Sequence, residues 1–106
     1  MRKAGIKMVE ITNAGERVTA GIQGDIDHHS ASGIRSEIDA VLENTTPRLL
    51  ILDFKGVKFM DSSGIGLILG RMRVLEGFGG KLFIKNATGH VEKIVKIAGL
   101  SSLILK

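Results

Sequence analysis

The sequence predicts an α/β fold in which helices pack on one mixed β-sheet. Three observations support this prediction: segments with the apolar alternation of a half-buried strand, segments with the apolar period of a helix, and the succession of the two along the chain. The chain has 106 residues, a length that suits one small domain with a real core. We therefore expect residues 1–106 to form a single domain.

The first two strands are expected at residues 7–12 and 17–24. The second of them alternates Val18, Ala20 and Ile22 with polar neighbours, which is the period of a strand with one buried face. The segment "NAGE" between the two strands is typical of a hairpin turn, because asparagine and glycine tolerate turn conformations.

A first helix is expected after the segment "GDIDHHS" and before "NTTP". Asp27 and Ser30 are its candidate N-caps, because their side-chain oxygens can accept hydrogen bonds from free backbone N–H groups. Its predicted apolar face consists of Ala31, Ile34, Ile38, Val41 and Leu42. The continuous apolar run "LLILDF", residues 49–54, then predicts a central strand covered on both faces.

The second helix is expected from Ser63 to Glu76, with "GFGG" as its end signal. Its predicted core stripe consists of Ile65, Ile68, Leu69, Met72 and Leu75. A strand "KLFIK" should follow, and then a third helix within "TGHVEKIVKIAGL" with Thr88 as N-cap and a Schellman ending at Gly99 and Leu100. The predicted inner face of the third helix consists of Val91, Ile94, Val95 and Ala98. The closing segment "SLIL" is expected to form a last short strand.

Composition excludes several classes of protein. The sequence has no cysteine, so disulfides and thiolate metal sites are impossible, and we find neither a signal peptide nor an apolar run long enough to span a membrane. A cytoplasmic location is therefore expected. The net charge of +4 comes from basic residues scattered along the chain without interleaved aromatic residues, which argues against nucleic-acid binding. A basic face suits an acidic protein partner instead.

No motif for catalysis or for a cofactor is complete. A hydrolase nucleophile elbow, G-x-S-x-G, requires glycine where the sequence has Met60 or Asp61, and the two phosphate-loop motifs require glycine at Leu69 and Leu75. His28 and His29 follow Asp25 and Asp27, but adjacent side chains tend to point apart, which favours a loop that caps the helix over a metal site. We expect no cofactor and no metal.

The segment "FMDSSGIGLILGRM", residues 59–72, is the most informative stretch. Any one of Asp61, Ser62 and Ser63 could cap the second helix. Because one cap is enough, capping does not explain why the sequence has two serines here. A helix N-terminus also stabilises negative charge, so a serine there can carry a phosphoryl group without unfolding its helix.

A smooth ridge is expected further along the same helix. Gly66 and Gly70 are one turn apart, and Leu67 and Arg71 lie beside them at the same spacing. Because glycine has no side chain, a partner can approach such a ridge closely. Capping alone and partner binding both remain open on these grounds.

The turn "MDSSG" and the loop "DIDHH" together resemble the STAS domain family, specifically the bacterial anti-sigma-factor antagonists of the sporulation type. The resemblance covers about residues 6–105, and the strand, the turn, the "GGK" strand start and the "GL" after the third helix come in the same order. It implies a single STAS domain. Members of this group often continue into a C-terminal helix, which this chain, ending at Lys106, is expected to lack.

The resemblance implies a binding module and not an enzyme. Such a protein binds an anti-sigma factor, itself a serine kinase of the histidine-kinase-like ATPase type, and thereby frees the sigma factor. The kinase would inactivate it by phosphorylating the serine that matches Ser62, and a PP2C-type phosphatase would reactivate it. Asp27 would lie near Ser62 and position its hydroxyl, and Ser63 would cap the helix. The free protein is expected to be a monomer.

The residues and the resemblance together give one set of expected partner-binding residues. They are Asp25, Asp27, Asp61, Ser62, Ser63, Gly64, Gly66, Leu67, Gly70 and Arg71. The alternative is a STAS subunit with a scaffolding or regulatory role in a larger assembly, for which an unphosphorylated Ser62 and stable oligomers would be evidence.

Overall fold

The computed structural model describes residues 8–105, so Lys7, the first residue of the predicted first strand, lies outside the described residues. The strands are β1 (Val9–Ala14), β2 (Arg17–Gln23), β3 (Leu49–Gly56) and β4 (Lys81–Lys85). The helices are α1 (Ala31–Thr45), α2 (Ser62–Glu76) and α3 (Gly89–Ile97), followed by a short 3₁₀ turn at Ser101–Leu103. The predicted order of strands and helices is confirmed from β1 to α3.

The four strands form one mixed sheet in the order β1-β2-β3-β4. β1 and β2 are an antiparallel hairpin, whereas β2, β3 and β4 are parallel to one another. The hairpin turn contains Gly15 at a φ of 66°, a left-handed conformation that glycine adopts without steric cost. The predicted hairpin and the predicted mixed sheet are therefore confirmed.

The helices lie on one face of the sheet. α1 connects β2 to β3 and α2 connects β3 to β4, so both crossovers advance in the same direction across the sheet. Since such connections are right-handed in almost every protein, both helices are placed on the same face. Alternate strand residues point into this layer and are fully buried there, among them Ala20, Ile22, Leu50, Leu52 and Ile84.

The end of α3 is the predicted Schellman motif. Gly99 has a φ of 81°, its N–H donates to the carbonyl of Lys96 at 3.0 Å, and the N–H of Leu100 donates to the carbonyl of Val95 at 3.1 Å. Both bonds satisfy carbonyls that the helix end leaves free. Thr88 precedes α3 as predicted, although its side chain makes no capping hydrogen bond.

Several predicted details are wrong. "SLIL" is not a strand: it forms the 3₁₀ turn, and of this segment only Ile104 makes a single bridge to Ile84. Leu69, predicted to be in the core, is 45% exposed. α1 packs against the other side of α2, so Leu67 is buried in its place. Ala98 is also exposed, since it lies in the terminal turn of α3.

The central strand β3 is covered by helices on one face only, contrary to the prediction from its apolar run. Leu50, Leu52 and Phe54 point into the helical layer, whereas Asp53 on the other face is half-buried. Ile51 on that outer face is nevertheless only 8% exposed. It is paired with Thr19 of β2 on one side and with Phe83 of β4 on the other. Among the described residues, every helix is too short or too polar to cross a membrane.

Candidate functional site

Two loops meet at the carboxyl ends of β2 and β3. The N–H of Ile26 donates to the carbonyl of Phe59 at 3.0 Å, and the N–H of Asp61 donates to the carbonyl of Ile26 at 3.1 Å. Ile26 also forms an isolated parallel bridge with Met60, and both side chains are fully buried. The "DIDHH" loop is thus fixed by backbone hydrogen bonds against the "MDSSG" turn, as the family resemblance implies.

Asp27 holds its own loop in shape. Its Oδ1 accepts hydrogen bonds from the N–H of Ser30 at 3.0 Å and from that of His29 at 2.8 Å, while Ser30 Oγ accepts from the N–H of Asp27 at 3.1 Å. This reciprocal pair has the form of a capping box at the entrance to α1. The N–H groups of Ser30 and then of His29 lower the pKa of the Asp27 carboxyl, so it is ionised at neutral pH. Asp27 thus caps the turn before α1 and not α1 itself, contrary to the prediction. Ser30 occupies the N-cap position of α1 as predicted, but its side chain makes no capping hydrogen bond to the helix.

Asp61 is the cap of α2. Its carboxylate accepts a hydrogen bond from the N–H of Ser63 at 2.7 Å, and its carbonyl accepts one from the N–H of Gly64 at 2.9 Å. The helix consequently begins at Ser62, one residue earlier than predicted, and Ser62 is exposed. The capping role expected for Ser63 is wrong, because its backbone N–H is the group being capped.

The cap assignment gives a direct prediction for stability. Asp61→Ala should lower the free energy of unfolding by about 0.5–2 kcal/mol, the usual cost of losing an N-cap. Ser63→Ala is the matched control and should change it by less than about 0.5 kcal/mol, as for surface positions without a structural role. Urea unfolding of both variants measures the difference; equal losses would contradict the assignment.

The turn is also held from the side of α3. His90 Nε2 lies 3.0 Å from the carbonyl oxygen of Met60 and donates to it when that nitrogen carries the proton. The His90 ring stacks on Phe59 with ring centroids 5.0 Å apart. Gly64 leaves room for the Met60 side chain, which a Cβ at that position would strike. Neither Phe59 nor His90 carries a sequence signal for this contact, because their proximity depends on how α3 packs.

The predicted ridge on α2 is half correct. Around Gly66 and Gly70 there is open space where a Cβ would stand, so both glycines leave the helix surface open. Leu67 and Arg71, however, do not form part of an exposed ridge. They are only 4% and 6% exposed, because they pack toward α1. The result is a cleft between α1 and α2 rather than a flat ridge, with the glycines on one wall.

The open glycines give a second prediction. Gly70→Ala should raise the free energy of unfolding by up to about 1 kcal/mol, because alanine favours the helix and meets no neighbouring atom. Thermal or urea unfolding measures this change. Gly64→Ala is the contrasting variant and should be destabilised, because its new methyl group strikes the buried Met60. A destabilised Gly70→Ala variant would show that this wall is packed and not open.

A buried ion pair, which sequence reasoning missed, lies at the base of the cleft. Arg71 Nε is 2.8 Å from Asp39 Oδ1, yet the pair is not aligned as a hydrogen bond. Among the described residues, Asp39 Oδ1 and the Nε and Nη1 atoms of Arg71 are enclosed and make no aligned hydrogen bond. Burial lowers the pKa of Arg71, the Asp39 carboxylate opposes this, and Arg35 lowers it further. The guanidinium stays charged at neutral pH and is short of acceptors.

The described residues contain no group of three or more histidine or acidic side chains that could hold a metal ion. Asp25, His28 and His29 are exposed in the loop before α1, and the carbonyl of Asp25 accepts a hydrogen bond from Ser30 Oγ at 2.8 Å. This part of the loop is thus organised by hydrogen bonds to its own backbone.

The arrangement of loop, turn and helices agrees with comparisons to known proteins. The family model described as "STAS domain" matches residues 6–106. The chain belongs to the STAS domain family. An "Anti-sigma F factor antagonist" of Lysinibacillus sphaericus is 39% identical to this STAS domain over 85 residues, which cover 80% of this chain and 73% of the relative.

Two solved structures are similar to this STAS domain over most of its length. One is the anti-sigma factor antagonist SpoIIAA in its unphosphorylated form, with a TM-score of 0.82, 33% identity, and coverage of 92% of this chain and 85% of that chain. The other is the Bacillus cell fate determinant SpoIIAA in the phosphorylated form, with a TM-score of 0.73, 32% identity, and coverage of 92% and 88%. The predicted STAS fold, a mixed sheet with helices packed on it, is confirmed.

Proposed function

We propose that this STAS domain is an anti-sigma factor antagonist controlled by phosphorylation of Ser62. In its unphosphorylated form it binds an anti-sigma factor that is also a serine kinase, and the sigma factor is released. The kinase then phosphorylates Ser62 and ends the interaction, and a PP2C-type phosphatase restores the binding form. The names of its relatives and the two phosphorylation forms of SpoIIAA support this proposal.

The observation that carries the proposal is the position of Ser62. It is the first residue of α2, it is exposed, and its helix is already capped by Asp61. A kinase can therefore reach the hydroxyl without breaking a structural hydrogen bond of the cap. The N-terminus of α2 then favours the added negative charge, since the helix dipole and free N–H groups are directed toward it.

The loop beside Ser62 supplies the second part of the proposal. The backbone hydrogen bonds between Ile26 and the "MDSSG" turn fix the "DIDHH" loop next to the serine. Asp27 is half-buried and ionised, so it presents a fixed negative charge on the face that the kinase approaches. We assign to Asp27, together with Asp25, the positioning of the docked kinase.

Asp27→Asn should lower the rate of phosphorylation by the cognate kinase while leaving the melting temperature almost unchanged. The asparagine side-chain oxygen can still accept from the N–H groups of His29 and Ser30, so the loop keeps its shape but loses its charge. Radiolabelled phosphate transfer measures the rate. An unchanged rate at unchanged melting temperature would show that Asp27 only shapes the loop.

The proposal is tested by capture from a lysate of the native cells. The parent chain and Ser62→Ala, immobilised separately, should retain a protein that transfers phosphate from ATP to the parent. Mass spectrometry should map the phosphate to Ser62 and not to Ser63, and the captured kinase should also bind a sigma factor. A phosphate on Ser63, or a kinase without affinity for any sigma factor, would refute the proposal.

A further inference from the structure

The cleft between α1 and α2 carries an excess of positive charge. It has a volume of about 450 Å³, and its lining consists of His28, Ala31, Ser32, Arg35, Ser63, Gly66, Leu67, Gly70 and Arg71. Arg35 and Arg71 are cations, and the side chain of Asp39, which pairs with Arg71, is 30% exposed. The lining described above thus contains two guanidinium groups, whereas the one carboxylate paired with them, that of Asp39, contacts Arg71 alone. This excess of positive charge favours an incoming anion.

The guanidinium group of Arg71 is buried in an unfavourable environment at the base of the cleft. The Arg71 side chain is 7% exposed, its Nε faces Asp39 Oδ1 at 2.8 Å without hydrogen-bond alignment, and its Nη1 has no hydrogen-bond acceptor among the described residues. A buried donor without an acceptor costs free energy, so the fold retains an unfavourable feature at this point. Arg35 adds repulsion, because its charge also disfavours the charged form of Arg71. A carboxylate entering the cleft would offset the repulsion between the two guanidinium groups and would stabilise the buried charge of Arg71.

The shape of the cleft allows such an approach. Gly66 and Gly70 leave open space on the α2 wall, so a side chain from another protein can lie against the helix backbone. Ser63 lines the same cleft directly after Ser62, which makes the cleft continuous with the phosphorylation turn. A partner docked on Ser62 is therefore positioned to reach the arginines.

We propose that this cleft receives an acidic side chain, aspartate or glutamate, of the anti-sigma factor kinase. The carboxylate pairs with Arg35 and Arg71 while the two glycines allow its backbone to approach α2. This inference rests on the proposed function, because the protein that would bind in the cleft is the kinase. It adds a second contact point, distinct from the hydroxyl of Ser62 and from the loop of Asp27.

The first experiment compares charge variants in binding to the purified kinase. Arg35→Gln should weaken binding about tenfold, since pairs of opposite charge across an interface contribute on that scale. Arg17→Gln is the matched control: it removes the same charge from an exposed residue at the amino end of β2 and should leave the affinity unchanged. Arg35 is exposed, so its loss should not affect folding.

The second experiment identifies the occupant. Arg35→Lys keeps the charge and introduces an amine that a carbodiimide joins directly to a carboxylate. The cross-link from position 35 should map to one aspartate or glutamate of the kinase, whereas Arg17→Lys should give no such product. Replacing that acidic residue of the kinase by its amide should weaken binding to the parent about as much as Arg35→Gln does, and should have little further effect on Arg35→Gln itself.

The outcomes separate the two proposals. A parent chain that binds the kinase, combined with full affinity of Arg35→Gln and no cross-link from position 35, would overturn the cleft proposal and leave the proposed function intact. A parent chain that does not bind any serine-kinase anti-sigma factor would overturn the proposed function and with it the occupant of the cleft.

Discussion

Phosphorylation of Ser62 should lower the affinity for the anti-sigma factor kinase by about 100-fold or more, with little change in the free fold. The phosphoryl group adds about −1.5 to −2 charges at pH 7 to a turn that already contains Asp61. In the free protein this group is exposed to water at the N-terminus of α2, where negative charge is favoured. In the complex it would be removed from water against a surface that fits a hydroxyl.

The size of the effect follows from desolvation. An uncompensated charge at a dry interface costs several kcal/mol, and each tenfold loss of affinity corresponds to about 1.4 kcal/mol. Ser62→Ala should therefore bind the kinase permanently, and Ser62→Asp should bind it poorly. Ser63→Ala should bind far more tightly than Ser62→Asp, because it adds no charge and because Ser63 contributes its backbone N–H and not its hydroxyl to the helix cap.

Isothermal titration calorimetry of each variant with the kinase measures these affinities. Ser102→Asp provides the matched control, since it adds the same charge to an exposed serine in the 3₁₀ turn after α3. Thermal unfolding of the phosphorylated chain shows whether the fold is altered. A Ser62→Asp variant that binds as tightly as the parent, or a phosphorylated chain that is partly unfolded, would contradict this mechanism.

Much of the fold could be predicted because its signals are local. The alternation in β2 and the periods in α1 and α3 depend on residues a few positions apart, and each matches the buried face that the structure shows, except at Ala98 after the end of α3. The meeting of the Asp27 loop with the Ser62 turn was also predictable, since parallel strands place their carboxyl ends along one edge of the sheet.

The parts that were missed depend on packing between distant segments. The side of α2 that is buried is set by α1, and this contact covers Leu67 and exposes Leu69. Asp39 and Arg71 are joined by the same contact, and neither residue carries a sequence signal for a buried ion pair. The cap of α2 could not be assigned from sequence either, because aspartate and two serines are equally good caps in adjacent positions.

Asp39→Ala should be the most destabilising of the substitutions considered outside the apolar core. Removing one partner of a buried ion pair costs about 3–5 kcal/mol, because the other charge remains buried without compensation. Arg71 is 6% exposed, but the Asp39 side chain is 30% exposed. Some of its interaction energy is therefore screened by water, so we expect a loss of about 2–3 kcal/mol in the free energy of unfolding.

Urea unfolding of two further variants separates charge from packing. Arg71→Met removes the buried charge and retains an apolar side chain, so it should be less destabilised than Asp39→Ala. The double variant Asp39→Leu with Arg71→Met should recover most of the loss, since an apolar pair can replace a buried ion pair at little cost. If Asp39→Ala instead loses less than about 0.5 kcal/mol, water entering from the cleft solvates Arg71 without help from Asp39. The guanidinium would then be satisfied in the free protein, and an incoming carboxylate would gain correspondingly less from it.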